Sequence, residues 1–217
     1  MFTTQMLLIA YANGLFPMAE TAESPELFWM DPPERCIFPL ENFHVPRRLE
    51  QTVKQNRYRI TINQCFDDVI AACAAKSEKR QKTWINADII RLYTQLHKEG
   101  HAHSLEAWKE DQLVGGLYGI SMGRAFFGES MFSTARDASK VALVHCAARL
   151  IKNGYRLFDA QFENGHLTQF GCSIIPRESY LRFLALALSS GTASFAAGGS
   201  LDGGAAIGFL QSSTQTS

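Results

Sequence analysis

The sequence predicts an α+β fold, a mixed sheet with flanking helices preceded by a small N-terminal domain, and three observations predict it. Strand-like runs at 101–108, 113–121 and 124–132 follow one another across the short turns KEDQ and MG, which is the pattern of an antiparallel meander. A helical periodicity over 138–152, with Val141, Val144, Ala148 and Ile151 on one face, then leads into a further strand at 156–162. The chain has 217 residues, 46% hydrophobic and 19% charged, enough to bury a core without metals or disulfides.

In chain order, residues 4–13 read as a short helix with Leu7, Ala10 and Tyr11 on one face, and Gly14 stands where a helix end favours positive φ. Residues 16–39 are rich in proline and aromatics and too apolar for a free linker, so residues 1–35 are assigned to the small N-terminal domain. Arg57–Asn63 (RYRITIN) alternates as a strand. Residues 64–75 form an amphipathic helix with Phe66, Val69, Ile70 and Cys73 inward. After the polar loop KSEKRQKT, Asn86 caps a helix running to about Lys98, with Ile89, Tyr93 and Leu96 inward and Gly100 beyond its end. Asp137 is the expected N-cap of the 138–152 helix, Gly154 ends it, and a last helix covers 176–188. Residues 36–188 thus make the main domain. The tail, 189–217, is rich in Gly, Ala, Ser and Thr and is expected to be less ordered, with at most a short strand near 205–211.

Composition excludes some classes. Lys+Arg and Asp+Glu number 21 each, so no global charge draws the protein to nucleic acid, and any such contact must be a local basic patch. Five cysteines without a CxxC spacing read as reduced thiols, with Cys73 and Cys146 on apolar helix faces. The N-terminus has no basic n-region and no apolar run reaches about 18 residues, so a cytoplasmic protein without a membrane span is expected. His97, His101 and His103 straddle a helix end and a strand, a poor spacing for a metal, and no Gly-x-Ser-x-Gly elbow or dinucleotide fingerprint occurs.

The chemistry concentrates in two strands. In 156–162, Leu157, Asp159 and Gln161 share one face and Phe158, Ala160 and Phe162 the other, which is the expected core face. That leaves Asp159 and Gln161 side by side as a positioned acid/amide pair. In 124–132, strict alternation groups Phe127, Glu129 and Met131 against Phe126, Gly128 and Ser130. A glutamate and a serine in so apolar a strand need partners, and Gly128 suggests a bulge or a close approach. The helix N-terminus near Asp137 offers N–H groups to an oxygen-rich ligand. Lys76, Lys79, Arg80 and Lys82, followed by Trp84, resemble a phosphate-plus-stacking arrangement. The order meander, helix, strand is that of the acetyltransferase (GNAT-like) superfamily. The loop 133–138, STARDA, lacks that superfamily's Q/R-x-x-G-x-G/A pyrophosphate signature, which argues against acyl-CoA as donor.

The chain resembles the leucyl/phenylalanyl-tRNA–protein transferases. The matching blocks stand in order: AYANGLFPM (10–18), FWMDPPER (28–35), FHVPRRL (43–49), TWI (83–85), LHKEGHAHSLEAW (96–108), LVGGLYG (113–119), FFGESMFS (126–133), ASKVAL (138–143), DAQFENGHLTQFG (159–171) and IPRESYL (175–181). The resemblance implies a GNAT-like domain behind a small N-terminal domain, and no metal or other cofactor. It implies transfer of Leu or Phe, and less readily Met, from aminoacyl-tRNA to proteins beginning with Arg or Lys, marking them for degradation, by a monomer. By resemblance, Asp159 and Gln161 orient and activate the incoming amine, Asn164 belongs to the same motif, and Glu129 helps read the cationic acceptor. Trp84 stacks on the terminal adenine, Leu117, Phe126 and Met131 line the donor pocket next to Ser130, and Lys76, Lys79, Arg80 and Lys82 hold tRNA. The chain departs from many members at Met18, at Gly165-His166, and at His145 and Arg149. An acetyl-CoA-dependent N-acetyltransferase and a non-catalytic tRNA-binding module are the rival readings.

Overall fold

The structure, a computed structural model, describes residues 2–76 and 81–213. The chain opens with helix α1 (Thr4–Ala12), whose N-cap Thr3 accepts from the Met6 N–H at 3.2 Å. Strands β1 (Phe16–Met18) and β2 (Phe28–Met30) pair as a small antiparallel sheet. Then come β3 (Glu34–Phe38), helix α2 (Arg47–Lys54), β4 (Arg59–Ile62), helix α3 (Phe66–Ala74) and helix α4 (Ala87–Lys98). Asn86 caps α4 as its sequence position predicts, accepting from Ile89 N–H at 2.9 Å. The meander is β5 (Ala102–Lys109), β6 (Gln112–Met122) and β7 (Ala125–Ser133). Helix α5 (Ala138–Lys152) crosses to β8 (Leu157–Gln161), and β9 (Ser173–Pro176), α6 (Arg177–Ser189) and α7 (Gly203–Ser213) follow.

The main sheet has seven strands in the order β4-β5-β6-β7-β8-β3-β9. Its pairs are antiparallel except β7 with β8, which run parallel because α5 carries the chain back across one face. The mixed α+β architecture is therefore as predicted. Period-2 alternation splits the core into two layers. Leu117, Phe126 and Phe158 pack with α2, α5 and α7 on one face, while Tyr118, Phe127 and Leu157 pack with α1, α3, α4 and α6 on the other. Both faces of β8 are thus covered, not only the Phe158 face that the apolar pattern marks. Asp159 sits fully buried beneath α6, where Tyr180 is also buried.

Several elements differ from the sequence reading. β3 and β9 form one edge of the sheet, although their short, Pro-flanked runs show little alternation. The tail, expected to be less ordered with a short strand, contains helix α7, with Ala206, Ile207 and Leu210 buried against the α2 and α5 layer. Its sequence, GGAAIGFLQSS, is poor in helix formers. Packing supplies what propensity does not. Asp202 accepts from the Ala205 N–H at 2.8 Å, and a Cβ on Gly203 would stand 1.8 Å from the Val53 carbonyl oxygen, so the helix start approaches α2 closely only because it is glycine.

Candidate active site

A bulge builds the site. Pairing between β6 and β7 steps from Tyr118 opposite Ser130 to Gly119 opposite Gly128, which leaves Glu129 as the extra residue. The close approach at Gly119 demands glycine, since a Cβ there would lie 2.3 Å from the Phe127 carbonyl oxygen. The bulge that Gly128 suggested is therefore present, and it overturns the strict alternation. Met131 moves to the face of Leu117 and Phe126, while Glu129 keeps the Phe127 side expected of it, toward α1 and α4.

There the Glu129 carboxyl meets two tyrosine hydroxyls. Tyr11 donates to Oε1 at 2.7 Å and Tyr93 to Oε2 at 3.1 Å, while the two hydroxyls contact each other. Gln161 Nε2 donates to Oε1 at 3.0 Å. The Glu129 carboxyl thus gathers three donors in one buried place. Burial is the main reason its pKa rises to about 7, against the hydrogen bonds from Tyr11 and Tyr93. Burial and the neighbouring carboxyl push both tyrosines well above their usual value, so they remain donors.

Asp159 is a different kind of acid. Its Oδ1 accepts from Arg35 Nε at 3.1 Å and from the Gln161 N–H at 2.8 Å. Its Oδ2 accepts from Arg35 Nη2 at 3.0 Å and from the Tyr180 hydroxyl at 2.7 Å. Arg35 also donates to the Gly14 carbonyl at 3.0 Å and lies between the rings of Phe16 and Tyr180, tying the N-terminal lobe to this strand. Every lone pair of Asp159 thus faces a donor. Directly beyond it, Gln161 has φ +55°, and Phe162 N–H bonds back to the Ala160 carbonyl at 2.7 Å. That is a three-residue turn with a non-glycine residue in the left-handed region, a strained conformation of the sort found at functional sites. Asp159 holds it by accepting from the Gln161 N–H.

Of these groups, Glu129 and Gln161 line a cavity of about 420 Å³. Its apolar wall is Leu117, Met131, Leu143, Phe38, Phe158 and Leu167. Glu129, Ser130, Gln161, Asn164 and His166 provide polar groups, and Phe16, Met18, Trp84 and Phe162 add aromatic and thioether surface. The volume lies in the range of small-molecule sites, which are mostly apolar with a few convergent polar groups. Of the predicted site residues, Trp84, Leu117, Glu129, Ser130, Met131, Gln161 and Asn164 line this one cavity.

Others do not. Phe126 is fully buried one layer behind the wall, with its ring against Phe158 at 5.7 Å, because the bulge lies between it and the cavity-lining residues. Asp159 is likewise behind the surface, under Gln161. The α5 N-terminus does not line the cavity. Asp137 has φ +63° and no capping bond, and it pairs with Lys140 at 3.2 Å, while Ser133 Oγ accepts from the Ser139 N–H. Leu143, a turn and a half further on, is the helix's contribution. His145 and Arg149 are buried away from the cavity. Lys76 is exposed and paired with Glu23 at 2.8 Å, Lys82 is exposed, and Lys79 and Arg80 lie outside the described residues.

A family model described as leucyl/phenylalanyl-tRNA protein transferase matches residues 37–185, and the N-terminal domain model of the same family matches residues 1–33. The chain belongs to the leucyl/phenylalanyl-tRNA–protein transferase family. Relatives bearing that name include one from Maricaulis maris, 55% identical over 86% of this chain and 87% of its own. Another, from Caulobacter vibrioides, is 54% identical over 87% of each chain. A third, from Phenylobacterium zucineum, is 51% identical over 100% of this chain and 99% of its own. Among solved structures, that of L-PGS from Bacillus licheniformis is similar at a TM-score of 0.42 and 13% identity, covering 74% of this chain and 51% of that one, and carries no argument. Family membership makes the protein an aminoacyltransferase. No described helix is long and apolar enough to cross a membrane.

Sequence reasoning missed Arg35, Tyr180, Tyr11 and Tyr93. A buried aspartate signals that a cation must be near, but nothing in the order of residues says which of 21 basic side chains it is.

Proposed function

We propose that this transferase moves Leu or Phe, less readily Met, from aminoacyl-tRNA to the N-terminal Arg or Lys of acceptor proteins and so marks them for degradation. It acts in the cytoplasm as a monomer without cofactor, through a GNAT-like domain at 36–188 behind the N-terminal domain at 1–35. The observation that carries the reading is the junction of Gln161 and Glu129 in the lining of a mostly apolar cavity of about 420 Å³.

The donor's side chain enters between Leu117, Met131 and Phe158, where an unbranched Met adapts to both Leu and Phe shapes. Trp84 stacks on the terminal adenine, and Lys76, Lys79, Arg80 and Lys82 hold the tRNA backbone. The aminoacyl ester is already activated, so the acceptor's α-amine attacks the carbonyl carbon, the C–O bond to the ribose breaks, and the amine's proton leaves for the departing oxygen by way of solvent. Gln161 spends its Nε2 on Glu129, which leaves its Oε1 to accept from the attacking amine. Asp159 has no lone pair left for that work and acts as an orienting group. Positioning of this kind lowers a barrier by about 7–11 kcal/mol.

Glu129 reads the acceptor's cation, and its ionisation is the cost of doing so. Transfer to an Arg-initiated peptide should rise as pH passes through about 7, where Glu129 loses its proton. In Glu129→Gln this dependence should vanish, leaving only that of the acceptor α-amine, near pH 7.7–8 in roughly unperturbed peptides. An unchanged profile in the variant would remove Glu129 from this role. The function itself is tested with labelled Phe-tRNA and peptides that begin with Arg or Gly. Product from the Arg peptide alone is expected, and equal transfer to both would overturn the acceptor assignment.

A further inference from the structure

The C-terminal segment before α7 lies beyond residue 185, where the match to the family model ends, yet it is built into the layer behind the donor cavity. Phe195 is 1% exposed. Its ring stacks on Phe126 at 4.7 Å and 13° between planes, and on His103 at 4.9 Å. Phe126 in turn meets Phe158 edge-on at 5.7 Å, and Phe158 is cavity wall, packed at 4.9 Å on Phe38, which is also wall. A continuous line of rings therefore runs from the tail to the surface a donor side chain would touch.

The tail is held there by Arg149 of α5, the helix that also supplies Leu143 to the wall. Arg149 Nη1 donates to the carbonyls of Phe195 at 2.7 Å and Ala197 at 2.8 Å, and Nη2 donates to that of Gly199. Its guanidinium also faces the Phe195 ring at 5.8 Å. Asn153 Nδ2 donates to the Ser194 carbonyl at 2.9 Å, and Ala193 N–H bonds to the Gly123 carbonyl at 2.8 Å. Arg149 is 2% exposed and, among the described residues, its side-chain hydrogen bonds all go to backbone carbonyls of this segment, so clamp and tail depend on each other.

We infer that Phe195, clamped by Arg149, is a positioning residue that sets the depth of the donor side-chain cavity, and so the choice between branched aliphatic and aromatic aminoacyl esters. This rests on the donor reading above. Close-packed interiors leave no slack, so removing a ring two layers back lets Phe126 and then Phe158 recede. A deeper cavity favours the larger donor, and pockets of this kind discriminate by roughly 10- to 200-fold per methylene-sized change.

The test is steady-state transfer by the full chain to one Arg-initiated peptide, from Leu-tRNA and Phe-tRNA separately, with Tm measured in parallel. Phe195→Ala should raise the Phe-to-Leu ratio of kcat/KM about tenfold, chiefly through a higher KM for the Leu donor, and Phe195→Leu should shift it in the same direction by less. Loss of Tm with both donors slowed by one factor would make Phe195 a structural brace and overturn the inference. If Phe195→Ala does not fold, Phe195→Leu decides by the same ratio. Wild type inactive with both donors would overturn the donor reading and this inference together, whereas an active wild type with an unmoved ratio overturns the inference alone.

Discussion

Asp159→Ala should cost about 3–5 kcal/mol of stability, the usual penalty for removing one partner of a buried ion pair, and should slow transfer far more than it weakens binding of aminoacyl-tRNA. Arg35 and Asp159 have side chains only 3% and 0% exposed, so the substitution strands a guanidinium where water does not reach it. It also removes the acceptor for the Tyr180 hydroxyl and for the Gln161 N–H. The first loss is structural and would appear as a lower denaturant midpoint. The second releases the strained turn at Gln161 and would appear as a lower kcat at saturating donor. Asp159→Asn separates the two, because its side-chain oxygen still accepts from the Gln161 N–H while the charge is gone. If Asp159 were the general base, Asn would be as slow as Ala. If it orients Gln161, Asn should recover part of the turnover at reduced stability. Wild-type turnover in Asp159→Ala would remove it from the site.

Gln161→Ala is expected to lower kcat by about 10²- to 10³-fold, the range for removing one preorganised polar group at a reacting centre, with stability nearly unchanged. Among the described residues the side chain's one hydrogen bond is to Glu129, and the backbone N–H that braces Asp159 survives the substitution. Alanine keeps a Cβ at φ +55°, so the strain stays while its purpose is lost. Gln161→Gly separates these, since it should match the slow turnover of Ala and gain stability by relieving the left-handed strain. The measurement is single-turnover transfer from Phe-tRNA with a parallel urea melt. A Gln161→Ala enzyme within a few-fold of wild type would exclude the amide from orienting the amine.

The two variants separate a buried group that acts through another from the group that meets substrate. Alternation along β8 places Asp159 and Gln161 on one face and leaves the distinction open. It appears only when α6 and β3 cover Asp159, leaving Gln161 at the cavity. The same holds for Phe126 and Met131. Five residues apart, they belong to opposite faces of a regular strand, and a single extra residue at Glu129 brings them to the same one. A bulge is a one-residue change in pairing partner, and Gly128 hints at it without saying on which side the extra residue falls.

What the sequence by itself determined is the set of elements whose residues satisfy their own periodicity. These are the α4 helix capped by Asn86, the β5-β6-β7 meander, the α5 crossover helix and the polar residues that a strand so apolar must justify. Local hydrogen bonding and the 2.0 and 3.6 residue periods act within a few residues, so they are written in neighbouring letters. Tertiary structure alone decided which Arg neutralises Asp159, which tyrosines donate to Glu129, and that a Gly- and Ala-rich tail becomes a helix behind the cavity. Each of those joins residues 36 or more positions apart in the chain, and the free energy that holds them comes from burial shared between layers, which no stretch of sequence contains alone.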